Sequence, residues 1–468
     1  MTNINSFDNI YLIGIGGIGV SALARFFISK NKNVYGYDKV KTELTSNLEK
    51  EGATIFYSEN SNDIPKIFSK NSFNNLIIYS AAIDTSNSLF AFFLKSGNLL
   101  KKRSEVLGII SQDYFTIAIA GTHGKTTTSA MLSCLLKESG INLTSFIGGI
   151  SRNYDSNFMF SNEEKILVVE ADEFDRSFLY LNPDIAVITS IDEDHLDVYE
   201  NYNEIVSVFI QFSKQIKKGG SLILEKNIEE LFSLNSDIKT YSYSCIQDAD
   251  IVSENISLNG ARISFDVSIN QLTKDAFLLK SNKIANVELP MPGMHNLSNS
   301  LAAITACLII NIDYHNIINS LKLFQGIKRR FDIHLDTLEH VFIDDYAHHP
   351  KEVLLTLKTT KELYPNRKMT VVFQPHLFSR TKDFAQEFAD ALQLAEELII
   401  TEIFPAREQP INGVTSNLIL ELCSNSKKQI CSSSNLINTL KSKQIDVLIT
   451  LGAGDISKLI QPIKHMLN

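Results

Sequence analysis

Residues 121–127 read G-T-H-G-K-T-T, and their types and spacing suit the binding of a nucleotide phosphate. Glycines let backbone N–H groups approach phosphate oxygens, and a following helix N-terminus adds partial positive charge. Lys125 can reach the terminal phosphates, and Thr126 can offer its hydroxyl to Mg²⁺. The alternative is an ordinary strand-to-helix turn that contains Lys-Thr, since Ile119 replaces the first glycine of the usual motif. We predict a phosphate loop formed by Gly121, Thr122, His123, Gly124, Lys125, Thr126 and Thr127.

The segments on either side of the phosphate loop favour this interpretation. Phe115 to Ala120 is an apolar run typical of a buried strand, and an amphipathic helix is predicted through about Glu138. A strand before the loop and a helix after it are the context that the motif requires.

Acidic residues follow two further apolar runs. Ile166–Val169 precedes Glu170 and the acidic residues around it, and Ile185–Ser190 precedes a segment that contains His195. Mg²⁺ is a hard ion that prefers oxygen ligands, and it is usually completed by phosphates and water. We predict Thr126, Glu170 and His195 as its ligands. Helix capping or solvated loops are the alternative, above all for Asp192 and Asp197.

The N-terminus has the pattern of a dinucleotide-type βαβ unit. A strand from Asn9 to Ile15 runs into G-I-G-G-I-G, and a second strand ends at Asp38. The turn could bind NAD or the pyrophosphate of a UDP-sugar, or it could simply pack a helix against a strand. Lys101–Arg103 is either a solvated run or an anion contact. The predicted site residues here are Gly14, Gly16, Gly17, Gly19, Asp38 and Ser80.

The C-terminal third alternates strands with helices, which predicts a second doubly wound sheet. Polar residues follow each strand, at the end where such sheets bind ligands. These clusters are 344–350, 374–381, 402–408 and 452–455, and 326–332 (G-I-K-R-R-F-D) reads as a basic linker. Before this region, His295 and Asn296 begin a helix in which Asn299 could face a base, although capping alone explains Asn296.

Composition limits the class of protein. A chain of 468 residues predicts two to four domains. Lys plus Arg number 44 against 53 Asp plus Glu, which argues against a nucleic-acid partner. Five scattered Cys, no signal-peptide pattern and no membrane-length apolar run predict a cytoplasmic protein without a membrane partner.

The motifs together resemble the ATP-dependent Mur ligases of peptidoglycan synthesis over essentially the whole chain. They are G-I-G-G-I-G, A-G-T-H-G-K-T-T-T, V-V-E-A-D-E-F-D-R-S-F, D-H-L-D, G-M-H-N-x-x-N, K-R-R-F-D, D-D-Y-A-H-H-P and F-Q-P-H-x-F-S-R-T, in this order. The resemblance implies an α/β protein of three domains: a Rossmann-like UDP-sugar domain (1–110), a P-loop ATPase-like domain (111–326) and a Rossmann-like amino-acid domain (327–468).

The resemblance is to the alanine-adding member, so it also implies the substrates and the reaction. ATP phosphorylates the lactyl carboxylate of UDP-N-acetylmuramate, and the amine of L-alanine attacks the acyl phosphate. ATP and Mg²⁺ (or Mn²⁺) are the implied cofactors, and a monomer or weak homodimer is expected. The implied catalytic residues are Lys125, Glu170, His195, His348 and Arg380. Besides the phosphate loop, the implied ATP contacts are His295, Asn296, Asn299, Arg330 and Asp345. Tyr346, His348, His376 and Arg380 are expected on the amino-acid and acyl-phosphate side.

Two departures and several alternatives accompany the resemblance. Leu377 stands where many relatives have a basic residue, and no lysine lies between Leu196 and Phe212 to match the carbamylated lysine of later Mur ligases. The nearest alternative is the ligase that recycles a tripeptide onto the same UDP-sugar. A folylpolyglutamate-type synthetase, a nicotinamide dehydrogenase and a silent nucleotide-binding scaffold each leave some of the motifs unexplained.

Overall fold

The computed structural model describes residues 4–70, 72–84, 86–163, 165–193, 199, 201–233, 237–406 and 408–468. Helices alternate with strands through most of the chain, and the strands form separate N-terminal, central and C-terminal sheets. The expectation of an α/β protein with three sheet-containing parts is therefore confirmed. Contacts group the chain into two compact units, Met1–Leu258 with Arg262–Pro290 and Asn296–Gln325, and Gly326–Asn468 with Asn259–Ala261 and Met291–His295.

The N-terminal sheet lies in the first unit and is parallel, with the strand order β3-β2-β1-β4-β5. Its central strands are apolar and fully buried, as expected for a sheet covered by helices on both faces. Its strands are β1 (Asn9–Ile13), β2 (Asn33–Tyr37), β3 (Thr54–Phe56), β4 (Asn75–Tyr79) and β5 (Leu99–Lys102). Its helices are α1 (Ile18–Ser29), α2 (Glu43–Glu51), α3 (Ser88–Ser96) and α4 (Arg103–Ser111).

The central sheet, also in the first unit, has the order β15-β14-β13-β12-β11-β10-β6-β9-β7-β8. The strands β6, β9 and β10 are parallel neighbours, so their carboxyl ends meet at one edge. The strands are β6 (Phe115–Ala120), β7 (Leu143–Ser151), β8 (Ser156–Met159), β9 (Ile166–Glu170), β10 (Ile185–Ile188), β11 (Ser221–Glu225), β12 (Lys239–Ser244), β13 (Ile251–Asn259), β14 (Arg262–Ile269) and β15 (Lys283–Leu289). The helices are α5 (Lys125–Glu138), α6 (Tyr202–Ser213), α7 (Gln271–Ala276), α8 (Met294–Ile309) and α9 (Tyr314–Leu321).

The C-terminal sheet lies in the second unit, in the order β16-β17-β21-β18-β19-β20. The predicted strand–helix alternation is present, and an antiparallel β16 and a short β20 are added at the edges. The strands are β16 (Asp332–Asp336), β17 (Val341–Asp345), β18 (Met369–Phe373), β19 (Glu397–Ile400), β20 (Lys428–Ile430) and β21 (Val447–Leu451). The helices are α10 (Pro350–Leu363), α11 (Phe378–Asp383), α12 (Ala385–Leu392), α13 (Asn417–Leu422), α14 (Leu436–Lys441) and α15 (Ile460–Leu467).

Short 3₁₀ segments complete the described structure, and one of them, Phe174–Tyr180, directly follows the acidic residues after β9. Asp175 and Arg176 in this segment have left-handed backbone angles, each with φ of 54°. All five cysteines are described, and none of them forms a disulfide. Among the helices of the described ranges, none has the length and apolar character needed to cross a membrane.

Candidate active site

The phosphate loop joins β6 to α5 through two glycines that other residues could not replace. Gly121 has φ of +132° and Gly124 has φ of +87°, a region that favours glycine. A Cβ atom on Gly121 would lie 2.1 Å from Oγ1 of Thr189, so this position also lacks space. The helix α5 begins directly at Lys125, and its N-terminal N–H groups therefore face the loop.

The end of β10 holds the phosphate loop in place. The N–H of Thr122 donates to the carbonyl of Ser190 (3.0 Å), and the N–H of His123 donates to Oγ of Ser190 (2.9 Å). The N–H of Asp192 donates to Oγ1 of Thr122 at 2.9 Å. Nε2 of His123 lies 3.4 Å from Oδ2 of Asp192. These contacts fix the conformation of the loop, and they assign Asp192 a role in holding it.

Lys125 points back into the loop and forms a buried ion pair. Its Nζ donates to the carbonyls of Gly121 (2.6 Å) and Thr122 (3.2 Å) and lies 2.9 and 2.8 Å from the two carboxylate oxygens of Glu173. Burial by itself would lower the pKa of Lys125. The carboxylates of Glu173, Asp172 and Glu170 outweigh it and raise that pKa. The lysine is therefore a fixed positive charge at the carboxyl edge of the central sheet.

Glu170 ends β9 beside the first turn of α5. Its Oε1 accepts from the Thr126 hydroxyl at 3.1 Å, and its Oε2 accepts from the N–H of Gly148 on β7 at 2.9 Å. Burial raises the pKa of Glu170, and Lys125 opposes this effect. A carboxylate and a hydroxyl held together beside a phosphate loop match the hard oxygen ligands that Mg²⁺ prefers.

The third predicted metal ligand, His195, lies outside the described residues, as does Asp197. Within the described part of the chain, no group of three His, Cys, Asp or Glu side chains is arranged to hold a metal ion. Thr126 and Glu170 are thus the predicted pair that the structure brings together.

Asn299 borders the phosphate loop from α8. A Cβ atom on Gly124 would lie 2.4 Å from Oδ1 of Asn299, so the amide almost touches the loop backbone. Asn296 and Asn299 are both buried. His295 groups with the second unit, where burial lowers its pKa to about 4; Glu352 opposes this shift and Arg330 adds to it. The His295 ring is therefore neutral at physiological pH.

The N-terminal glycine turn, residues 14–19, is fastened by Asp38. Oδ2 of Asp38 accepts from the N–H of Gly16 at 2.8 Å, and Gly14 has φ of +81°. A Cβ atom on Gly19 would lie 2.8 Å from a guanidinium nitrogen of Arg103. Arg103 therefore lies beside the turn, whereas Lys101 lies near Glu105 and Lys102 near Asp175.

Gly17 and Ser80 complete the predicted residues of this turn. Gly17 precedes the first residue of α1, and its N–H donates to the Gly14 carbonyl at 3.1 Å. Ser80 follows β4, and its Cβ would lie 3.5 Å from a Cβ on Gly14. The glycine turn and Ser80 therefore lie together at the carboxyl edge of the N-terminal sheet.

In the second unit, two aspartates end β17. Asp344 accepts from Nε of Arg329 at 3.1 Å, so the basic stretch 326–332 contacts this sheet through Arg329. Oδ2 of Asp345 accepts from the Thr356 hydroxyl at 2.7 Å. Burial raises the pKa of Asp345 to about 6, although Arg330 opposes the shift.

Aromatic and histidine side chains gather beside these aspartates. The guanidinium groups of Arg329 and Arg330 lie 5.2 and 5.1 Å from the ring centre of Tyr346. The His348 ring lies 5.2 Å from that of Tyr346 and 5.5 Å from that of His376. Nδ1–H of His348 donates to the Tyr346 carbonyl at 3.0 Å, and Nδ1 lies 3.3 Å from Oε2 of Glu352.

Arg380 lies on the short helix α11 and is buried. Leu377, immediately before that helix, has φ of +69° and is also buried. Leu377 is therefore an apolar residue packed inside the second unit.

Comparison with protein families matches three consecutive parts of the chain. Residues 9–115 match the Mur ligase family catalytic domain, 119–307 the Mur ligase middle domain and 329–454 the Mur ligase glutamate ligase domain. The chain belongs to the Mur ligase family.

Curated relatives and solved structures extend this assignment. The UDP-N-acetylmuramate–L-alanine ligase of Cytophaga hutchinsonii is 42% identical over 466 residues, which cover 99% of this chain and 97% of the relative. The protein of the same name from Parabacteroides distasonis is 41% identical over 465 residues, 99% and 98% of the two chains. The crystal structure of the UDP-N-acetylmuramate–alanine ligase of Thermotoga maritima superposes with a TM-score of 0.79 at 27% identity, covering 98% and 99% of the chains.

A murein peptide ligase from Psychrobacter arcticus shares the fold, with a TM-score of 0.72, 23% identity and 98% of each chain covered. At that identity the likeness concerns the fold alone. The tripeptide-recycling alternative is therefore not favoured over the alanine-adding one.

Three residues of this site were not named as site residues by reasoning from sequence. Glu173 contacts Lys125, the backbone N–H of Gly148 donates to Glu170, and Asp192 holds the phosphate loop. Glu173 and Asp192 each follow a predicted strand, so their position was a usable signal. Nothing in the sequence pattern distinguishes Gly148, because its role depends on which strand lies beside β9.

Proposed function

We propose that this Mur ligase joins L-alanine to the lactyl carboxylate of UDP-N-acetylmuramate with ATP, in peptidoglycan synthesis. The observation that carries the proposal is the phosphate loop, in which Lys125 and the Thr126–Glu170 pair lie together at the carboxyl edge of the central sheet. The full-length similarity to curated L-alanine ligases supports the choice of substrates.

We propose that each of the three sheet-containing parts of the chain binds a different substrate or group of substrates. Residues 1–110 bind the UDP-sugar through Gly14, Gly16, Gly17, Gly19 and Ser80, with Asp38 fastening the turn. Residues 111–326 bind ATP, with the loop N–H groups around the phosphates, Asn299 beside the phosphate loop and Asn296 on the base side. Residues 327–468 contribute Arg330, Asp345, Tyr346, His348, His376 and Arg380 to the nucleotide, the acyl phosphate and the amino acid. His295 is proposed as a further nucleotide contact.

The reaction needs an activated carboxylate, because a carboxylate does not accept an amine directly. Transfer of the terminal phosphoryl group of ATP to the lactyl carboxylate gives an acyl phosphate and ADP. The amine of L-alanine then attacks the acyl carbon, and the tetrahedral intermediate collapses to the amide and inorganic phosphate. Lys125 stabilises the charge that develops on the transferred group, and the bound substrates are held in line.

Thr126 and Glu170 fit a divalent cation, and we propose His195 as a third ligand. Such an ion, when bound, neutralises phosphate charge during phosphoryl transfer. Glu170 is suited to this role because both of its carboxylate oxygens are already oriented, one by Thr126 and one by Gly148. Cytoplasmic localisation and a monomer or weak homodimer complete the proposal.

Phosphate release from ATP with Mg²⁺ and UDP-N-acetylmuramate tests the activity. L-alanine should drive release best, with serine and glycine weaker, and Lys125→Ala should abolish it while leaving the protein folded. Release that only a tripeptide stimulates would assign the chain to recycling instead. A folded protein that binds ATP and releases no phosphate with any addition would refute the ligase function.

A further inference from the structure

Glu173 is the carboxylate that the proposed mechanism does not use, although it is the ion-pair partner of Lys125. The carboxylate is buried, with the residue 2% exposed, and both of its oxygens lie within 2.9 Å of Nζ. A lysine ammonium has three N–H donors. In this structure they serve Gly121, Thr122 and Glu173, so a phosphate can reach Lys125 only by replacing at least one of them.

The backbone around Glu173 holds its side chain in this position. Its carbonyl accepts from the hydroxyl of Tyr199, a buried ring, and from the N–H of Arg176 at 2.9 Å. After Phe174, the two left-handed residues Asp175 and Arg176 turn the chain. Glu173 is therefore fixed at the loop and does not reach Lys125 from a mobile surface segment.

We propose that Glu173 is a positioning residue that retains Lys125 in the nucleotide-free enzyme and competes with the nucleotide phosphates for it. A buried carboxylate near the phosphate position repels an anionic nucleotide, and the low local polarity strengthens that repulsion. A divalent cation beside Glu170 would offset this negative charge. The Lys125–Glu173 pair thereby makes nucleotide binding depend on the cation. This inference goes beyond the activity proposed above, and it rests on the proposed role of the loop in binding the nucleotide.

The test is the affinity for ADP, measured by isothermal titration calorimetry with excess Mg²⁺ and again with EDTA. Glu173→Gln keeps the size and a hydrogen-bond acceptor but removes the charge. We expect ADP to bind the variant at least about tenfold more tightly than wild type in EDTA, and the gain to be smaller with Mg²⁺. Asp172→Asn is the matched control, because it removes a neighbouring charge whose Oδ1 caps the N–H of Phe174 at 3.1 Å. Its effect should be clearly smaller.

The outcomes separate the inference from the proposed function. Wild-type protein that binds no ADP under either condition would refute the nucleotide role itself. Unchanged or weaker ADP binding by Glu173→Gln in EDTA would overturn the competition, as would an equal gain in Asp172→Asn. Lys125→Gln provides a second measurement: in that background Glu173→Gln should tighten ADP binding less than in wild type, since the contested lysine is gone. An undiminished gain there would also overturn the inference.

Discussion

Gly148→Ala tests whether the orientation of Glu170 sets the affinity of the enzyme for its divalent cation. Gly148 lies on β7, and its N–H donates to Oε2 of Glu170 at 2.9 Å. A Cβ atom added to Gly148 would lie 2.3 Å from Oε1 and 2.4 Å from Oε2 of that carboxylate. The substitution therefore acts on Glu170 directly while it leaves the chemical identity of every proposed ligand unchanged.

The displacement follows from these distances. A carbon and an oxygen in contact lie about 3.3 Å apart or more, so the carboxylate must move by roughly 1 Å. A shift of this size separates Glu170 from Thr126, whose hydroxyl donates to it at 3.1 Å. Loss of one orienting contact typically weakens metal binding by about 10–100-fold. The fold should survive, because alanine is favoured over glycine in a strand by about 0.5–1 kcal/mol, which offsets part of the strain.

The assay is the dependence of L-alanine-stimulated phosphate release on Mg²⁺ concentration, with thermal unfolding as the control for folding. The half-saturating Mg²⁺ concentration should rise at least tenfold in Gly148→Ala. Glu170→Asp shortens the carboxylate by one methylene, so the double variant should lose less than the product of the two single losses. A folded Gly148→Ala protein with unchanged Mg²⁺ dependence would refute the reasoning, as would strictly multiplicative losses.

Three further predictions concern buried polar groups. Asn157→Ala should lower the free energy of unfolding in urea by about 1–3 kcal/mol, because the buried amide forms hydrogen bonds with Arg25 and with the first turn of α1. Asn153→Ala, which removes a more exposed amide, should lower the free energy of unfolding by less. Burial raises the pKa of Asp345 to about 6, so the free energy of unfolding should fall as the pH rises from about 4 to 6. Because Asp345→Asn does not titrate, its free energy of unfolding should rise by about 2–3 kcal/mol relative to that of the wild type between pH 4 and 7.5. Equal pH profiles of stability for the two proteins would contradict this. Burial lowers the pKa of the His295 ring, so the ring should titrate near pH 4 when followed by NMR. The stability that the neutral ring contributes should be lost as the pH falls from 6.5 towards 4. A ring pKa near 6.5 would contradict the effect of burial.

Local sequence determined the elements and turns of this protein. The apolar run before Gly121, the two glycines and the helical run after Lys125 each act on their own backbone, so the strand, loop and helix follow from neighbours in the chain. The same holds for the G-I-G-G-I-G turn between β1 and α1. Because parallel strands share an edge, the order of the strands was enough to place Glu170 near the phosphate loop.

The tertiary structure was needed to show which of those polar residues contact each other. Glu170 ends β9 and Asp172 and Glu173 follow it, yet Glu173 is the one whose carboxylate contacts Lys125. Asp38 follows β2 as the sequence predicted, but the sequence did not show that its carboxylate accepts from the N–H of Gly16.

Contacts between residues far apart in the chain could not be predicted from the sequence either. Asn299 reaches Gly124 from a helix far along the chain, and Gly148 meets Glu170 because β7 pairs with β9. A sequence therefore determines which residues end a strand or open a helix, since those choices depend on local backbone energies. Which side chains then touch depends on how distant segments pack, and only the folded chain decides that.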